Sequence, residues 1–165
     1  MNAMKAISAA LISLGSLAVS AQVPDAIKAP AGKEAMTLKG TGVLNYECKT
    51  TDGKTAWGFV PDAKLTDKAG KEVGKYYGGP TWELNDGSKI TGKQLATAPG
   101  AAGAIPLQLV ETTPATGKGA LEGVVYIQRL NTVGGVAPAD TPCDATKVGT
   151  KKAVGYSADY VFYKK

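Results

Sequence analysis

Val154-Gly-Tyr-Ser-Ala-Asp-Tyr-Val-Phe-Tyr163 decides the fold class of this 165-residue chain. Val154, Tyr156, Ala158, Tyr160 and Phe162 recur at every second position, with Ser157 and Asp159 between them. Successive side chains of an extended backbone point to opposite faces, so the stretch predicts a strand with one core face and one partly wet face. A helix, repeating every 3.6 residues, would scatter the same residues around its circumference.

Outward from this stretch the same period returns. Gly42–Cys48 puts Leu44, Tyr46 and Cys48 on one face and Asn45 and Glu47 on the other. Trp57 and Phe59 share a face of a short strand expected to end at Pro61. Ile105, Leu107 and Leu109 share another, with Gln108 opposite. Leu121–Leu130 is more evenly apolar (Val124, Val125, Tyr126, Ile127), which predicts a strand covered on both sides. Asp52-Gly53, Asp67-Lys-Ala-Gly70 and Asn85-Asp86-Gly87 are hairpin signals between such segments. No segment combines helical periodicity with caps. The reading is all-β: a single antiparallel domain over 41–165, barrel-like or sandwich, with long loops at 97–104, 112–119 and 132–150. Periodicity alone does not separate the two; the reading leans slightly towards barrel-like closure.

The beginning of the chain has another character. Residues 1–21 carry Lys5, an apolar run from Ala6 to Val19, and small residues at Val19-Ser20-Ala21. That is the pattern of a secretory signal peptide, with cleavage expected before Gln22. The run is short for a membrane span and no stop-transfer segment follows, so the expectation is an exported protein, periplasmic or extracellular, with no transmembrane segment. Residues 22–40, with Pro24 and Pro30, read as an N-terminal arm.

Composition removes several kinds of chemistry. Histidine is absent, which excludes Ser-His-Asp and Cys-His catalysis and the commonest transition-metal ligand. Two cysteines cannot make a four-thiolate zinc site without other ligands, and phosphate-loop and dinucleotide fingerprints are missing. The expectation is therefore no cofactor and no metal. Nineteen Lys and Arg stand against fourteen Asp and Glu, but they are scattered and include a single arginine. Nucleic-acid readers cluster these charges on a recognisable motif, so no nucleic-acid partner is expected. In an oxidising compartment Cys48 and Cys143 make one disulfide, closing a loop of about 95 residues. A redox-active pair would sit closer in sequence.

The candidate ligand-binding residues are Tyr76, Tyr77, Trp82, Glu83 and Arg129. Tyr76-Tyr77-Gly-Gly-Pro-Thr-Trp82 sets three aromatics around a turn, as core packing or as a stacking platform for a sugar or flat ligand. Arg129 lies in the apolar run Val124–Leu130, where a guanidinium needs partners. The structural reading pairs it with Glu83 first or Asp159 second; the functional reading makes it the anchor of an acidic ligand. Glu83 and Asp86, three residues apart, point to opposite faces of an extended chain with Asp86 in the turn, which does not by itself set two carboxylates across a sugar bond, and no catalytic residue is assigned.

Gly42-Val43 with Tyr46 and Cys48, Trp57-x-Phe59-x-Pro61, Gly79-Pro-Thr-Trp-Glu83 with Asp86-Gly-Ser88, Ile127-Gln-Arg-Leu130 with Gly134-Gly135, Cys143-Asp144 and Tyr156-Ser-Ala-Asp-Tyr160 occur in one order. This combination resembles the domain-of-unknown-function family 3455 of exported bacterial and fungal proteins, over about residues 40–163. The resemblance implies a single exported domain and carries no activity with it. The chain departs from the family pattern at Tyr76, where a histidine often stands, and at Leu107, where a tryptophan is common; no histidine mechanism carries over. The functional expectation is a non-enzymatic, monomeric binding or envelope-associated module for a small-molecule or glycan ligand. The alternatives are a carboxylate-based hydrolase acting on glycans, and a secreted inhibitor or interaction protein using the 132–150 loop.

Overall fold

The computed structural model describes residues 22–165; the expected signal peptide and its cleavage point at Ala21 lie outside them. Eight strands follow in order: β1 (Lys33–Thr51), β2 (Lys54–Thr66), β3 (Glu72–Tyr77), β4 (Thr81–Leu84), β5 (Lys89–Ala98), β6 (Leu107–Thr112), β7 (Val124–Gly134) and β8 (Lys151–Lys164). Each pairs antiparallel with the next, and β8 returns to β1, closing a barrel. Closure removes both sheet edges, which is how the sequence meets the hydrogen-bonding needs of so much strand.

The deciding stretch is β8. Tyr156, Ala158, Tyr160 and Phe162 face the interior and are buried, as the alternation predicts. Leu44, Tyr46 and Cys48 of β1 do the same. Room for the rings comes from small residues opposite them: a Cβ on Gly40 would stand 2.5 Å from the Tyr160 ring. Tyr76, Trp82, Tyr160 and Phe162 fill the middle, with centroids 4.8–6.4 Å apart in tilted and edge-on arrangements. Asp52-Gly53 makes the β1–β2 turn, both residues at positive φ (51° and 75°) as a tight hairpin of this kind requires.

Three local readings are corrected. Pro61 does not end its strand: β2 runs on to Thr66, and Pro61 sits one place beyond the last β2–β3 pair, Asp62↔Tyr77, where a missing N–H breaks no ladder to β3. Ile105 does not share a face with Leu107 and Leu109, because Pro106 precedes the start of β6 and resets the alternation. Ile105 joins the barrel core, whereas Leu107 and Leu109 point outward and Gln108 points in. The stretch 22–40 is arm only in its first part. Lys33–Gly40 is already β1, and Asp25–Ile27 forms a 3-10 turn that drops Ile27 onto the outside of the sheet. Ile27, Ala98 and Leu109 make a second, outer cluster there with Tyr126 and Leu130 at its edge. Gln128 Nε2 donates to the Ile27 carbonyl at 2.6 Å. This cover explains why β7 reads as apolar on both faces.

One end of the barrel is stoppered. Leu121, fully buried, comes from the loop between β6 and β7. Asp86 in the β4–β5 turn accepts hydrogen bonds from Ser88 N, Ser88 Oγ and Ala120 N (2.8, 2.6 and 2.7 Å), tying that loop in place. These bonds, the one from Ala120 foremost, hold the Asp86 carboxyl below its ordinary range. The other end is built differently.

Candidate functional site

At the far end, three features hold the 135–150 loop beside the barrel mouth. Tyr46 Oη donates to the Gly135 carbonyl at 2.7 Å, and Trp57 Nε1 donates to the Thr141 carbonyl at 3.2 Å. Cys48 and Cys143 form the expected disulfide, with Cα atoms 5.4 Å apart. Gly135 is required at its position: its φ is +81°, and a Cβ would press on Tyr156, Ile105 and Leu44 at 2.9–3.2 Å.

Arg129 enters from β7 beneath this mouth and is only 7% exposed. Its Nε and Nη2 both donate to the Pro106 carbonyl, at 3.2 and 2.9 Å. The expected carboxylate partner is not there. Glu83 lies outside the barrel, where it accepts the Tyr77 hydroxyl at 2.6 Å and meets Lys75 at 3.4 Å. Asp159 accepts Asn131 Nδ2 at 2.8 Å, also on the outside. The reason is strand parity: Arg129 points inward, and both carboxylates occupy outward positions on their strands. Among the described residues Arg129 enters no ion pair.

Its surroundings are neutral and polar. Gln108 stands directly across from Arg129 in the β6–β7 ladder. Gln108 Nε2 donates to Gln94 Oε1 at 2.5 Å, and Gln108 Oε1 is buried without a partner. Tyr156 and Tyr160 share a hydroxyl contact of 3.2 Å. Burial raises the phenols of Tyr46, Tyr76, Tyr156 and Tyr160, and the Arg129 charge offsets this only in part; Tyr156 is pushed up to about 12. Above these groups a cleft of about 200 Å³ opens to solvent, lined by Phe59, Pro61, Tyr76, Gln94, Gln108 and Arg129, with Gly79-Pro80 at its lip.

Of the five residues expected to bind a ligand, Tyr76 and Arg129 line this cleft and Trp82 supports it, its ring 4.8 Å from that of Tyr76. Tyr77 and Glu83 are brought together elsewhere, on the outer surface. Gln94 and Gln108 escape a reading of the sequence. Gln108 carries a signal, a polar residue alternating with Leu107 and Leu109, but the inward face is misassigned once Pro106 is taken as part of the strand.

The buried phenols have a measurable consequence. A phenol whose folded value is raised stays neutral while the unfolded chain ionises near pH 10. The folded state then holds more protons, so stability falls as pH rises from about 10 toward the folded value near 12 for Tyr156. Titration followed by tyrosinate absorbance should show the four interior tyrosines ionising cooperatively with unfolding. Ionisation of these four near pH 10 without unfolding would contradict the burial.

The family model described as protein of unknown function (DUF3455) matches residues 29–164. The chain belongs to this family. No curated protein and no solved structure matches it. The matched span covers every strand of the DUF3455 barrel, together with the mouth and Arg129.

Proposed function

We propose that this DUF3455 barrel is an exported, non-enzymatic binding module that captures a small acidic ligand at its mouth. One observation carries the reading: Arg129, only 7% exposed and with no ion pair among the described residues, lines an open cleft. Isolated buried charge is costly, and a fold retains it where a ligand of opposite sign completes it. The planar fork matches a carboxylate bidentately, which a lysine would not. The aromatic and proline rim offers an apolar surface to the rest of such a ligand. Export is supported by the leader-like residues before Gln22 and by the disulfide, which persists in oxidising compartments. The cleft lining supplies no Asp or Glu, so the glycan-hydrolase reading has no acid pair to act through here.

The test compares small carboxylates with their primary amides by thermal shift and calorimetry on the mature protein at low salt. Acids should raise the melting temperature, because a ligand at one hundred times its Kd stabilises by about 2.7 kcal/mol. Amides should not. Equal responses to acid and amide would overturn the reading.

A further inference from the structure

The same cleft says something about the rest of the ligand, and this step rests on the reading of Arg129 as a carboxylate anchor. Gln108 is 8% exposed, lines the cleft and faces Arg129 across one ladder pair. Its Nε2 is satisfied by Gln94, but Oε1 has no donor. A buried amide oxygen left unpaired costs about 1–3 kcal/mol. Among the described residues the hydroxyls of Tyr156 and Tyr160 engage each other and that of Tyr46 engages Gly135, while Tyr76 and Arg129, which line the same cleft, do not donate to Gln108 Oε1. The terminal torsion of a glutamine is broad, so a small rotation turns Oε1 toward an incoming group.

The cleft therefore presents two complementary features side by side, a cationic fork that donates and a neutral oxygen that accepts. Directly opposed residues of an antiparallel pair have Cβ atoms about 4.5–5.5 Å apart. A ligand serving both must carry an anionic acceptor and, a few bonds away, a hydrogen-bond donor. The volume, about 200 Å³, is smaller than that of drug-sized sites and fits one compact metabolite or one terminal sugar residue. Phe59, 45% exposed at the rim, gives a ring face for stacking.

We propose that the ligand is a hydroxy acid of sugar-acid type: its carboxylate sits on Arg129 and a neighbouring hydroxyl donates to Gln108 Oε1. A site built to bond a hydroxyl rejects the analogue that lacks it, because its own polar group is then stranded.

The experiment is calorimetric titration of the mature protein with four probes. D-glucuronate carries both groups, and its methyl glycoside stands for a chain-terminal uronate. Cyclohexanecarboxylate has the ring and the acid without hydroxyls, and D-glucose has hydroxyls without the acid. Glucuronate should bind at least tenfold more tightly than cyclohexanecarboxylate, although the latter is more apolar, and glucose should not bind. The methyl glycoside binding as well as glucuronate would assign the site to glycan ends; its exclusion would assign it to the free acid, and either outcome supports the proposal. In Gln108→Met the advantage of glucuronate over cyclohexanecarboxylate should vanish. The wild-type series decides the matter even where that variant does not fold. Equal affinity for glucuronate and cyclohexanecarboxylate would overturn the hydroxyl assignment and leave the carboxylate reading standing. Glucose binding as well as glucuronate, or no binding of either acid, would overturn both.

Discussion

Replacing Cys48 and Cys143 together by serine is expected to lower the unfolding free energy by about 4–5 kcal/mol. The bridge closes a loop of 95 residues, and the cost of closing such a loop in the unfolded chain rises with its length. Strain in the native bridge would reduce the figure; burial of a serine hydroxyl at the fully buried position 48 would raise it. Urea unfolding of the oxidised parent, the reduced parent and the double variant measures the effect. Without the bridge the 135–150 loop keeps its backbone bonds to Cys48, from Gly149 N and to Thr150 O (2.8 and 2.9 Å), and the Trp57 contact to Thr141. The barrel should therefore still form, with a lower midpoint and a looser mouth. A loss below about 1 kcal/mol would show that the bridge does not restrain the unfolded chain.

Arg129→Met is expected to separate stability from binding. The buried cation has no ion pair, so its removal eliminates a desolvation cost of several kcal/mol. What is lost is the pair of N–H donations to Pro106 O, worth about 1.5–3 kcal/mol together. Pro106 is exposed, so water can take up its carbonyl. Methionine fills a similar volume without a polar group. The variant should be as stable as the parent or about 1–2 kcal/mol more so, while carboxylate affinity falls a hundredfold or more, about 2.7 kcal/mol. Chemical denaturation and calorimetry on the same preparation check both halves. A variant destabilised by more than about 2 kcal/mol with unchanged affinity would make Arg129 a structural residue.

How far the sequence reaches can be seen in particular strands. β8 and the middle of β1 are legible because alternation is a local property, written within ten residues. The disulfide is legible because a sequence with only two cysteines leaves one pairing. Closure is not, since it depends on β1 pairing with β2 on one flank and with β8 on the other, over 100 residues away, and no local period encodes that. The site is legible in part. A lone arginine in an apolar run marks itself, but its partner is fixed by which face of each strand turns inward. One proline at position 106 shifts that parity, moving Gln108 into the barrel, and outward positions take Glu83 and Asp159 out of reach.

The double pairing of β1 also sets an order of events when the chain is delivered amino end first. Between Lys39 and Glu47 each β1 residue lies between a β2 partner and a β8 partner. Seven strands can emerge and still have nothing to close on until Lys151–Lys164 follows. The closing contacts are among the most distant in sequence, which makes them slow as well as late. During that wait the open flank of β1 is a template for other chains, and Lys33 and Lys39, both exposed, stand along it as charges that discourage the wrong neighbour.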